Sequence, residues 1–302
     1  MRKGKKMWLA VAGSLVVIGL IIFVGTMAVN GWDFRKLGTG KYETNTYVIS
    51  EEFSNISIKT NTADVVFAPS DDGKFKVVCY EENKVKHSVR VENEALTINV
   101  VDTRKWYEHI GFNFRSPRIT VYLPEGEYGS LKINESTGDI VLAKDFSFAS
   151  IDISVSTGDV KCLASSSGDV KIGVSTGEVK LSGVSCKSFT SKGSTGDISL
   201  NNVVVAEKIS IERSTGDVEL DRTRASKIFI ETDTGDVELE RSDAGEISIE
   251  TDTGDVEGTL LSDKVFITET DTGRVNVPSS VTGGRCEITT DTGDIRISII
   301  KG

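Results

Sequence analysis

One short motif recurs along most of this chain at an almost constant spacing. The motif is Ser-Thr-Gly-Asp or a close variant, and its glycine stands at positions 138, 158, 168, 177, 196, 216, 235, 254, 273 and 293. Apart from the extra copy at 168, successive glycines are 19 or 20 residues apart. A fixed interval of this length is typical of proteins built from stacked structural repeats. We therefore expect the chain to fold as a series of similar coils.

Apolar residues alternate with polar residues on both sides of each glycine. Around Gly216, for example, Ile209 and Ile211 come before the turn, and Val218 and Leu220 come after it. Strict alternation indicates strands with one buried face, so each repeat holds two such strands. Packing the two apolar faces against each other predicts an all-β fold, a two-sided parallel β-solenoid with rungs of 19–20 residues.

Stacking of the rungs in chain order makes further predictions. Val218, Val237 and Val256 should be direct neighbours in one sheet. Two acidic columns are expected, one of Glu212, Glu231, Glu250 and Glu269 and one of Glu219, Glu238 and Glu257. These columns are interpreted as a solvated acidic face, because four buried aliphatic side chains per rung contribute about 6–12 kcal/mol, more than the repulsion costs.

The N-terminal 29 residues have a different composition from the rest. Residues 1–6 (MRKGKK) form a basic tail, and residues 7–29 contain no charged residue. About 20 apolar residues span the hydrocarbon core of a bilayer. The pattern predicts a transmembrane signal-anchor helix over 7–29, with the tail in the cytoplasm and the C-terminal domain outside it. The alternative is cleavage as a secretory signal, for which Thr26-Met27-Ala28 is a weak site.

Three regions are predicted to follow the helix. A juxtamembrane linker covers 30–39, an N-terminal β cap covers 40–130, and regular repeats cover 131–302. Within the cap, Asn61-Thr62-Ala63-Asp64 follows the repeat template with alanine in the glycine position, which predicts a degenerate first rung. Further cap strands are predicted at 75–80, 88–91, 95–101 and 118–123.

Three sequence features together resemble a known family. They are Glu-Glu-Phe-Ser-Asn-Ile at 51–56, Val-Tyr-Leu-Pro at 121–124, and the Thr-Gly-Asp rungs. The chain resembles, over about residues 45–300, the bacterial "putative adhesin" repeat family, a domain of unknown function common in Gram-positive bacteria. The resemblance implies a β-solenoid that faces the cell envelope, and it implies no catalytic residue.

Acidic motifs in the chain invite comparison with two kinds of site. Asp-Thr-Gly at 233–235, 252–254, 271–273 and 291–293 matches the aspartic protease signature. Here Glu-Thr or Thr-Thr precedes the aspartate instead of apolar residues, and serine replaces the aspartate in earlier rungs, so proteolysis is not predicted.

The net charge of −10 argues against nucleic acid as a partner.

Aspartate columns could also bind calcium. Stacking would align Asp233, Asp252, Asp271 and Asp291 in one column and Asp236, Asp255 and Asp294 in another. Carboxylate oxygens are ligands that calcium prefers. However, the turns lack the glycine-rich nonapeptide of calcium β-rolls, and Arg274 should interrupt the second column between Asp255 and Asp294. No cofactor is predicted, and structural calcium remains the alternative.

Cysteine and histidine are sparse and irregularly spaced. Cys162 and Cys286 occupy positions that are apolar in other rungs, which indicates buried thiols without a disulfide. The two histidines, His87 and His109, do not form a zinc-binding pattern with the four cysteines.

One segment departs from the strand pattern. Residues 102–116 contain Trp106, Tyr107, Phe112 and Phe114 beside Arg104, Lys105 and Arg115. Aromatic and basic residues on a loop over a rigid scaffold are typical of a recognition surface, so the four aromatic residues are the candidate ligand or partner contacts. The alternative is that the rings cover the open end of the solenoid.

The sequence favours a non-enzymatic function. The leading hypothesis is a membrane-anchored extracytoplasmic β-solenoid, either adhesin-like or serving as a cell-envelope scaffold or stress sensor. Cell-wall or surface glycans and other envelope proteins are the expected partners, besides the membrane itself. The alternatives are a carbohydrate-active β-helix enzyme, which the regular outward columns argue against, and a scaffold that polymerises through bare end rungs.

Overall fold

A computed structural model describes residues 3–33, 41–106 and 116–300 of the chain. It begins with helix α1 (Lys3–Val29). The part from Lys6 to Val29 is long and apolar enough to cross a membrane, by its length and composition. Large apolar side chains such as Leu15 and Ile21 are exposed on its surface. An exposed apolar helix near the N-terminus suits either an anchor or a signal sequence.

The predicted strands of the cap are all present. The described part of the cap contains seven strands: β1 (Tyr42–Ile49), β2 (Asn55–Lys59), β3 (Asp64–Pro69), β4 (Phe75–Glu82), β5 (Val85–Glu92), β6 (Ala95–Asp102) and β7 (Arg118–Leu123). The degenerate first rung is confirmed, because β2 and β3 pair in parallel with the first regular rung and bring Ile56 beside Leu131 and Val65 beside Ile140.

Twenty further strands build the repeats. They are β8 (Gly126–Thr137), β9 (Ile140–Leu142), β10 (Phe146–Thr157), β11 (Val160–Cys162), β12 (Ser165–Ser166), β13 (Asp169–Thr176), β14 (Val179–Ser182), β15 (Ser185–Cys186), β16 (Ser188–Thr195), β17 (Ile198–Asn201), β18 (Val204–Val205), β19 (Lys208–Thr215), β20 (Val218–Asp221), β21 (Arg224–Thr234), β22 (Val237–Thr253), β23 (Val256–Leu260), β24 (Lys264–Thr272), β25 (Val275–Asn276), β26 (Gly284–Thr292) and β27 (Ile295–Ile299).

These strands stack into two long parallel sheets, which confirms the predicted β-solenoid. The strands before each Thr-Gly turn form the front sheet, and the strands after it form the back sheet. In the back sheet, Val218 pairs with Val237, and Val237 pairs with Val256, as the repeat requires. The column of Glu219, Glu238 and Glu257 is also present beside them.

The space between the sheets is filled by the alternating aliphatic residues. Ile209, Ile211, Val218 and Leu220 of one rung are all at most 1% exposed, and their counterparts in neighbouring rungs are buried in the same way. Burying each such side chain contributes about 1.5–3 kcal/mol relative to leaving it in water. The polar residues between them face solvent, as alternation along a strand requires.

Each coil also contains a short third side that the sequence interpretation did not foresee. After the back-sheet strand, two residues pair with the next coil before the chain re-enters the front sheet. Ser185 and Cys186 pair in this way with Val204 and Val205. Because this strand is only two residues long, it leaves little periodic signal in the sequence.

The Thr-Gly-Asp turns stack directly on one another along one edge of the rod. The backbone N–H of Gly216 donates to the carbonyl of Thr234 in the next rung at 2.9 Å. In the other direction, the N–H of Asp236 donates to Oδ1 of Asp217 at 2.8 Å. The aspartate therefore accepts a hydrogen bond from the following turn, and the same contact recurs along the rod.

The glycine is required by how closely these turns approach. A Cβ built on Gly235 would lie 2.1 Å from the carbonyl oxygen of Gly216, and Gly235 has a φ of +153°. Both features exclude a side chain, since real Cβ atoms do not approach backbone oxygen so closely and L-residues rarely adopt this conformation. Conformation and crowding therefore both account for glycine at this position.

The last two rungs are interchanged in space relative to the chain. Strand β26 lies between β22 and β24 in the front sheet, and β27 lies between β23 and β25 in the back sheet. The prediction of strict chain order is therefore wrong at this end. After the β22–β23 rung, the chain first forms the outermost rung, β24–β25. Residues 277–283 then lead back, so that β26 and β27 fill the space between these two rungs.

Two predicted contacts are wrong as a result of this interchange. Thr289 separates Glu250 from Glu269, so the four glutamates do not form a continuous column. Arg274 does not lie between Asp255 and Asp294, because the N–H of Asp294 donates directly to Oδ1 of Asp255 at 2.7 Å. Arg274 instead occupies the outermost turn, where no further rung requires an acceptor.

The N-terminal end shows the same interchange and is closed by antiparallel strands. The β6–β7 rung lies outside the β2–β3 rung, although it comes later in the chain. Strand β5 then adds antiparallel to β6, β4 adds antiparallel to β7, and β1 adds antiparallel to β4. These strands end the parallel stack on the side of the cap.

Candidate functional site

One of the predicted aromatic contacts, Trp106, follows strand β6 at this closed end. Trp106 is 79% exposed, whereas Tyr107, Phe112 and Phe114 fall outside the described residues. The chain leaves β6 at Asp102 and enters β7 at Arg118, so the segment begins and ends where other rungs carry the Thr-Gly turn.

A groove runs along this same edge, on the front sheet beside the stacked turns. Its first part has a volume of about 420 Å³ and crosses four rungs. The walls are amide, hydroxyl and ammonium side chains, contributed by Lys59, Asn61, Asn134, Ser136, Ser154, Ser156 and Ser175. A second part of about 230 Å³ follows over the next rungs, where Lys192, Glu212, Glu231 and Asp233 line it. We call the two parts together the corner groove.

The floor of the corner groove is a column of inward-facing residues three positions before each turn glycine. Glu135 pairs with Val155 in this column, and Arg213 pairs with Thr232 further along. Buried side-chain atoms without a hydrogen-bond partner in the described chain include Oε2 of Glu135, Nε and Nη2 of Arg213, and Oγ1 of Thr232. These three side chains hold hydrogen-bonding capacity that the described chain does not use, and because the atoms themselves are buried, a ligand in the groove would reach them only after a side-chain rotation.

Glu135 is the most perturbed carboxyl group on this floor. It is 5% exposed, and burial raises its pKa to about 7, against the opposing effect of the nearby backbone amides. Its Oε1 accepts a long hydrogen bond from the N–H of Thr137 at 3.3 Å. The group therefore changes protonation near neutral pH, as a donor below its pKa and an acceptor above it.

Arg213 extends across the floor of the second part. Its guanidinium lies over Gly193, and Nη1 donates to the carbonyl of Val174 at 2.7 Å. The side chain is 3% exposed, and burial lowers its pKa. Glycine at 193 makes room for this arginine, because a Cβ there would lie 1.6 Å from Nη1.

The remaining acidic residues of the turns have a structural role already described. The Oδ1 atoms of Asp217, Asp236 and Asp255 each accept a backbone N–H from the next rung. At the C-terminal end, Arg296 forms ion pairs with Asp255, Glu257 and Asp294. The absence of a cofactor stays a prediction, with structural calcium at the aspartate columns as its alternative.

Comparison with protein families gives a match over two overlapping stretches, residues 53–192 and 185–301. The matching family is described as Toastrack DUF4097. The chain belongs to this family. The match includes the cap as well as the rungs, in agreement with the resemblance predicted from the sequence. No curated protein matches the chain.

Solved structures with a similar fold share little sequence with this Toastrack chain. A "putative adhesin" from Bacteroides fragilis is 16% identical, with a TM-score of 0.43, and the alignment covers 85% of this chain and 97% of that one. A "Putative lipid binding protein" from Parabacteroides distasonis is 14% identical, with a TM-score of 0.46 and coverages of 86% and 98%. A "putative adhesin" from the same organism is 11% identical, with a TM-score of 0.47 and the same coverages.

Sequence reasoning missed the residues of the Toastrack groove floor. The available signal was a charged residue, Glu135 or Arg213, in a column that holds valine or threonine in most other rungs. These two positions looked like ordinary polar residues beside the motif, although Glu135 continues the inward-facing series of Leu131 and Ile133 along strand β8.

Replacing Glu135 with glutamine should remove a pH dependence from the stability of this Toastrack protein. The pKa of Glu135 rises from 4.5 to about 7 on folding. The stability that the wild type gains from keeping this carboxyl protonated is therefore fully present below pH 4.5 and is lost as the pH rises to about 7. Above pH 7, the free energy of unfolding of the Glu135→Gln variant should exceed that of the wild type by about 3 kcal/mol. Urea unfolding of the full chain in detergent between pH 4 and 8 measures this.

The matched control is Glu127→Gln, which changes an exposed carboxylate on the same strand β8. It should leave the pH profile of the free energy of unfolding unchanged. If the free energy of unfolding of the Glu135→Gln variant and of the wild type changed with pH in the same way, the raised pKa of Glu135 would be contradicted.

Proposed function

We propose that this chain is a non-enzymatic, membrane-anchored adhesin whose corner groove binds a hydroxyl-rich glycan outside the cytoplasm. The observation that carries the proposal is the column of unsatisfied buried polar atoms of Glu135, Arg213 and Thr232 beneath an open groove. Ligand hydroxyl groups can both donate and accept hydrogen bonds, so they match a floor that offers donors and acceptors together.

The walls of the groove also favour a glycan. Asn61, Asn134 and the serines present short neutral side chains at regular intervals along the rod. Sites for polar ligands use a few such groups to fix orientation. A lipid chain would require apolar lining, and the described lining of the first part contains one aliphatic side chain, that of Val155. The acidic residues of the second part disfavour anionic polymers.

The aromatic segment has a place in this proposal. Trp106 follows β6 at the same edge as the groove, and Lys59 of the first groove rung pairs with Asn99 of β6. Aromatic rings can stack on the apolar faces of sugar rings, so Trp106 would extend the groove at its cap end. Ligand contact by Tyr107, Phe112 and Phe114, which lie outside the described residues, stays a prediction.

Helix α1 supplies the anchor in this proposal. Its exposed apolar length matches the bilayer, and the basic residues before it favour an inside N-terminus. Alkaline extraction of membranes from cells that produce the full chain tests this point. Release of a chain shortened by the helix would contradict anchoring and support cleavage.

Two other functions are less well supported. A carbohydrate-active enzyme of the common type needs a general acid with a raised pKa beside a second carboxylate. The first part of the groove offers Glu135 alone, and the carboxylates of the second part, Glu212, Glu231 and Asp233, belong to the regular outward-facing columns. A polymerising scaffold needs bare rungs at both ends, but antiparallel strands β1, β4 and β5 close the cap end. An envelope scaffold or stress sensor could use the same groove, with the glycan as its signal.

Binding of oligosaccharides from purified wall polysaccharide to the full chain in detergent tests the groove. A double variant, Asn134→Ala with Glu135→Gln, should bind about tenfold more weakly, because it removes one amide and changes the hydrogen bonding of the buried carboxyl. Trp106→Ala should weaken binding independently. Ser248→Ala, on the front sheet away from the groove, is the control and should bind like the wild type.

A polyanionic wall polymer is the control ligand for specificity, and we expect it not to bind. Failure of the wild type to bind any neutral oligosaccharide, or equal affinity of the double variant and the wild type, would overturn the proposal.

A further inference from the structure

A second buried polar cluster lies inside the cap, and it adjoins the corner groove at Thr60. Strands β4 and β5 begin as a hairpin at Glu82 and Val85 and then separate into the back and front sheets. Where they part, Cys79, Glu81 and His87 face one another in the interior. Their side chains are at most 3% exposed, and one potential ligand atom from each lies within 4.8 Å of the others.

The donor set of this cluster suits a transition metal. It offers a thiol sulfur, a carboxylate oxygen and an imidazole nitrogen, all of which are common zinc ligands. Tetrahedral coordination places such ligand atoms about 3–4 Å apart, so small side-chain rotations would suffice. At present Nδ1 of His87 and Oε2 of Glu81 are 2.7 Å apart.

Second-layer hydrogen bonds around the cluster are already in place. Nδ2 of Asn45 donates to Oε1 of Glu81 at 2.7 Å, and Oε2 accepts the backbone N–H of His87 at 2.6 Å while it faces the imidazole. Nε2 of His87 lies 3.2 Å from Oγ1 of Thr60, and the Tyr47 hydroxyl donates to the carbonyl of His87 at 3.2 Å. Metal-binding histidines and carboxylates are usually oriented by partners of this kind.

We propose that Cys79, Glu81 and His87 bind one divalent ion of the zinc class through Sγ, a carboxylate oxygen and Nδ1. On binding, the thiol releases its proton, Nδ1 is left unprotonated, and the remaining imidazole proton on Nε2 is donated to Thr60. The two anionic ligands then balance the charge of the ion, which makes burial of Glu81 favourable. A water molecule completes the four-coordinate shell.

The ion would connect three parts of the cap. Cys79 and Glu81 belong to β4, His87 belongs to β5, and Thr60 directly follows β2 of the first rung. Thr60 also lines the corner groove, so occupancy of the metal site would fix one end of the groove floor. The site itself does not depend on the glycan proposal.

The sequence carried a weak signal for this cluster. Cys79 and Glu81 alternate on one face of a strand, and a two-residue turn returns the chain so that His87 reaches the same interior. The signal was missed because a cysteine, a glutamate and a histidine on neighbouring strands do not form a recognised spacing motif.

Metal content of the full chain in detergent tests the proposal. The protein is unfolded with chelator and refolded with Zn²⁺ or Co²⁺, and unbound metal is removed. We expect one ion per chain, together with a thiolate-to-cobalt charge-transfer band. Cys79→Ser should lose the band and most of the bound metal, whereas Cys162→Ser, which changes another fully buried thiol, should retain both.

Thermal unfolding of the same samples gives a second readout. Zn²⁺ should raise the Tm of the wild type and of Cys162→Ser but not that of Cys79→Ser, because only a folded site binds the ion. A wild type that binds no stoichiometric metal overturns the proposal and leaves Glu81 and His87 as a metal-free hydrogen-bonded pair. A Cys79→Ser variant with unchanged metal content and spectrum also overturns it, because the ion would then lie elsewhere.

Discussion

Replacing Gly235 with alanine should lower the free energy of unfolding by about 3 kcal/mol or more. Two costs combine at this position. The added Cβ would lie 2.1 Å from the carbonyl oxygen of Gly216, and the backbone φ of +153° is one that alanine rarely adopts. The turn cannot move aside easily, because its N–H and carbonyl groups pair with the rungs on both sides. Urea unfolding of the full chain measures the loss.

Two other glycines separate the crowding cost from the conformational cost. Gly183 has a φ of +66° with no atom within 4 Å of a built Cβ, so Gly183→Ala should cost only about 1 kcal/mol. At Gly254 the built Cβ lies 2.0 Å from the Gly235 carbonyl oxygen, so crowding dominates. A loss for Gly254→Ala no larger than that for Gly183→Ala would contradict close stacking as the reason for glycine.

Deleting residues 284–302 should disrupt the C-terminal end of the rod. Those residues include β26 and β27, which fill the gap between the β22–β23 rung and the β24–β25 rung. The deletion removes four fully or almost fully buried side chains, those of Cys286, Ile288, Ile295 and Ile297. At about 1.5–3 kcal/mol each, the lost burial is comparable to the total stability of many domains. Limited proteolysis should cleave the variant after β22.

An internal deletion of similar size provides the control. Removing the 20 residues 264–283 changes the glycine spacing from 39 (293 − 254) to 19, the ordinary rung length. The β26–β27 rung would then come directly after the β22–β23 rung, its present neighbour in space, and only the outermost rung would be lost. We expect this variant to remain folded and protease-resistant. Equal proteolysis of the two deletion variants would contradict the interchanged order.

Much of the fold could be predicted because the repeat records local register. The alternation around Gly216 determines which residues face inward, and Val218 and Val237 pair as that alternation requires. Spatial order is a different matter, because rungs of equal length and register can exchange places without any change in the pattern. Arg274 was the available clue, since it stands in the aspartate position of the one turn that has no successor.

The candidate site was less predictable for a related reason. Trp106 and its neighbours attracted attention because they interrupt the pattern, whereas Glu135 sits within a rung of ordinary length. The functional interest of Glu135 comes from burial and a missing hydrogen-bond partner, and both depend on contacts between rungs. The same is true of Cys79, Glu81 and His87, which approach one another only where two strands separate.

The interchanged rungs also bear on how the protein is made. A ribosome releases the N-terminal part of a chain first, and early segments begin to fold while later ones are still being synthesised. An ordinary solenoid can grow by adding each new coil to the one before it. Here β26 and β27 are synthesised after β24 and β25, which finally lie outside them. The β24–β25 rung must therefore either stay unpaired until then or detach from the β22–β23 rung to admit them. A chain released too early would keep unpaired strand edges, which favour aggregation and degradation.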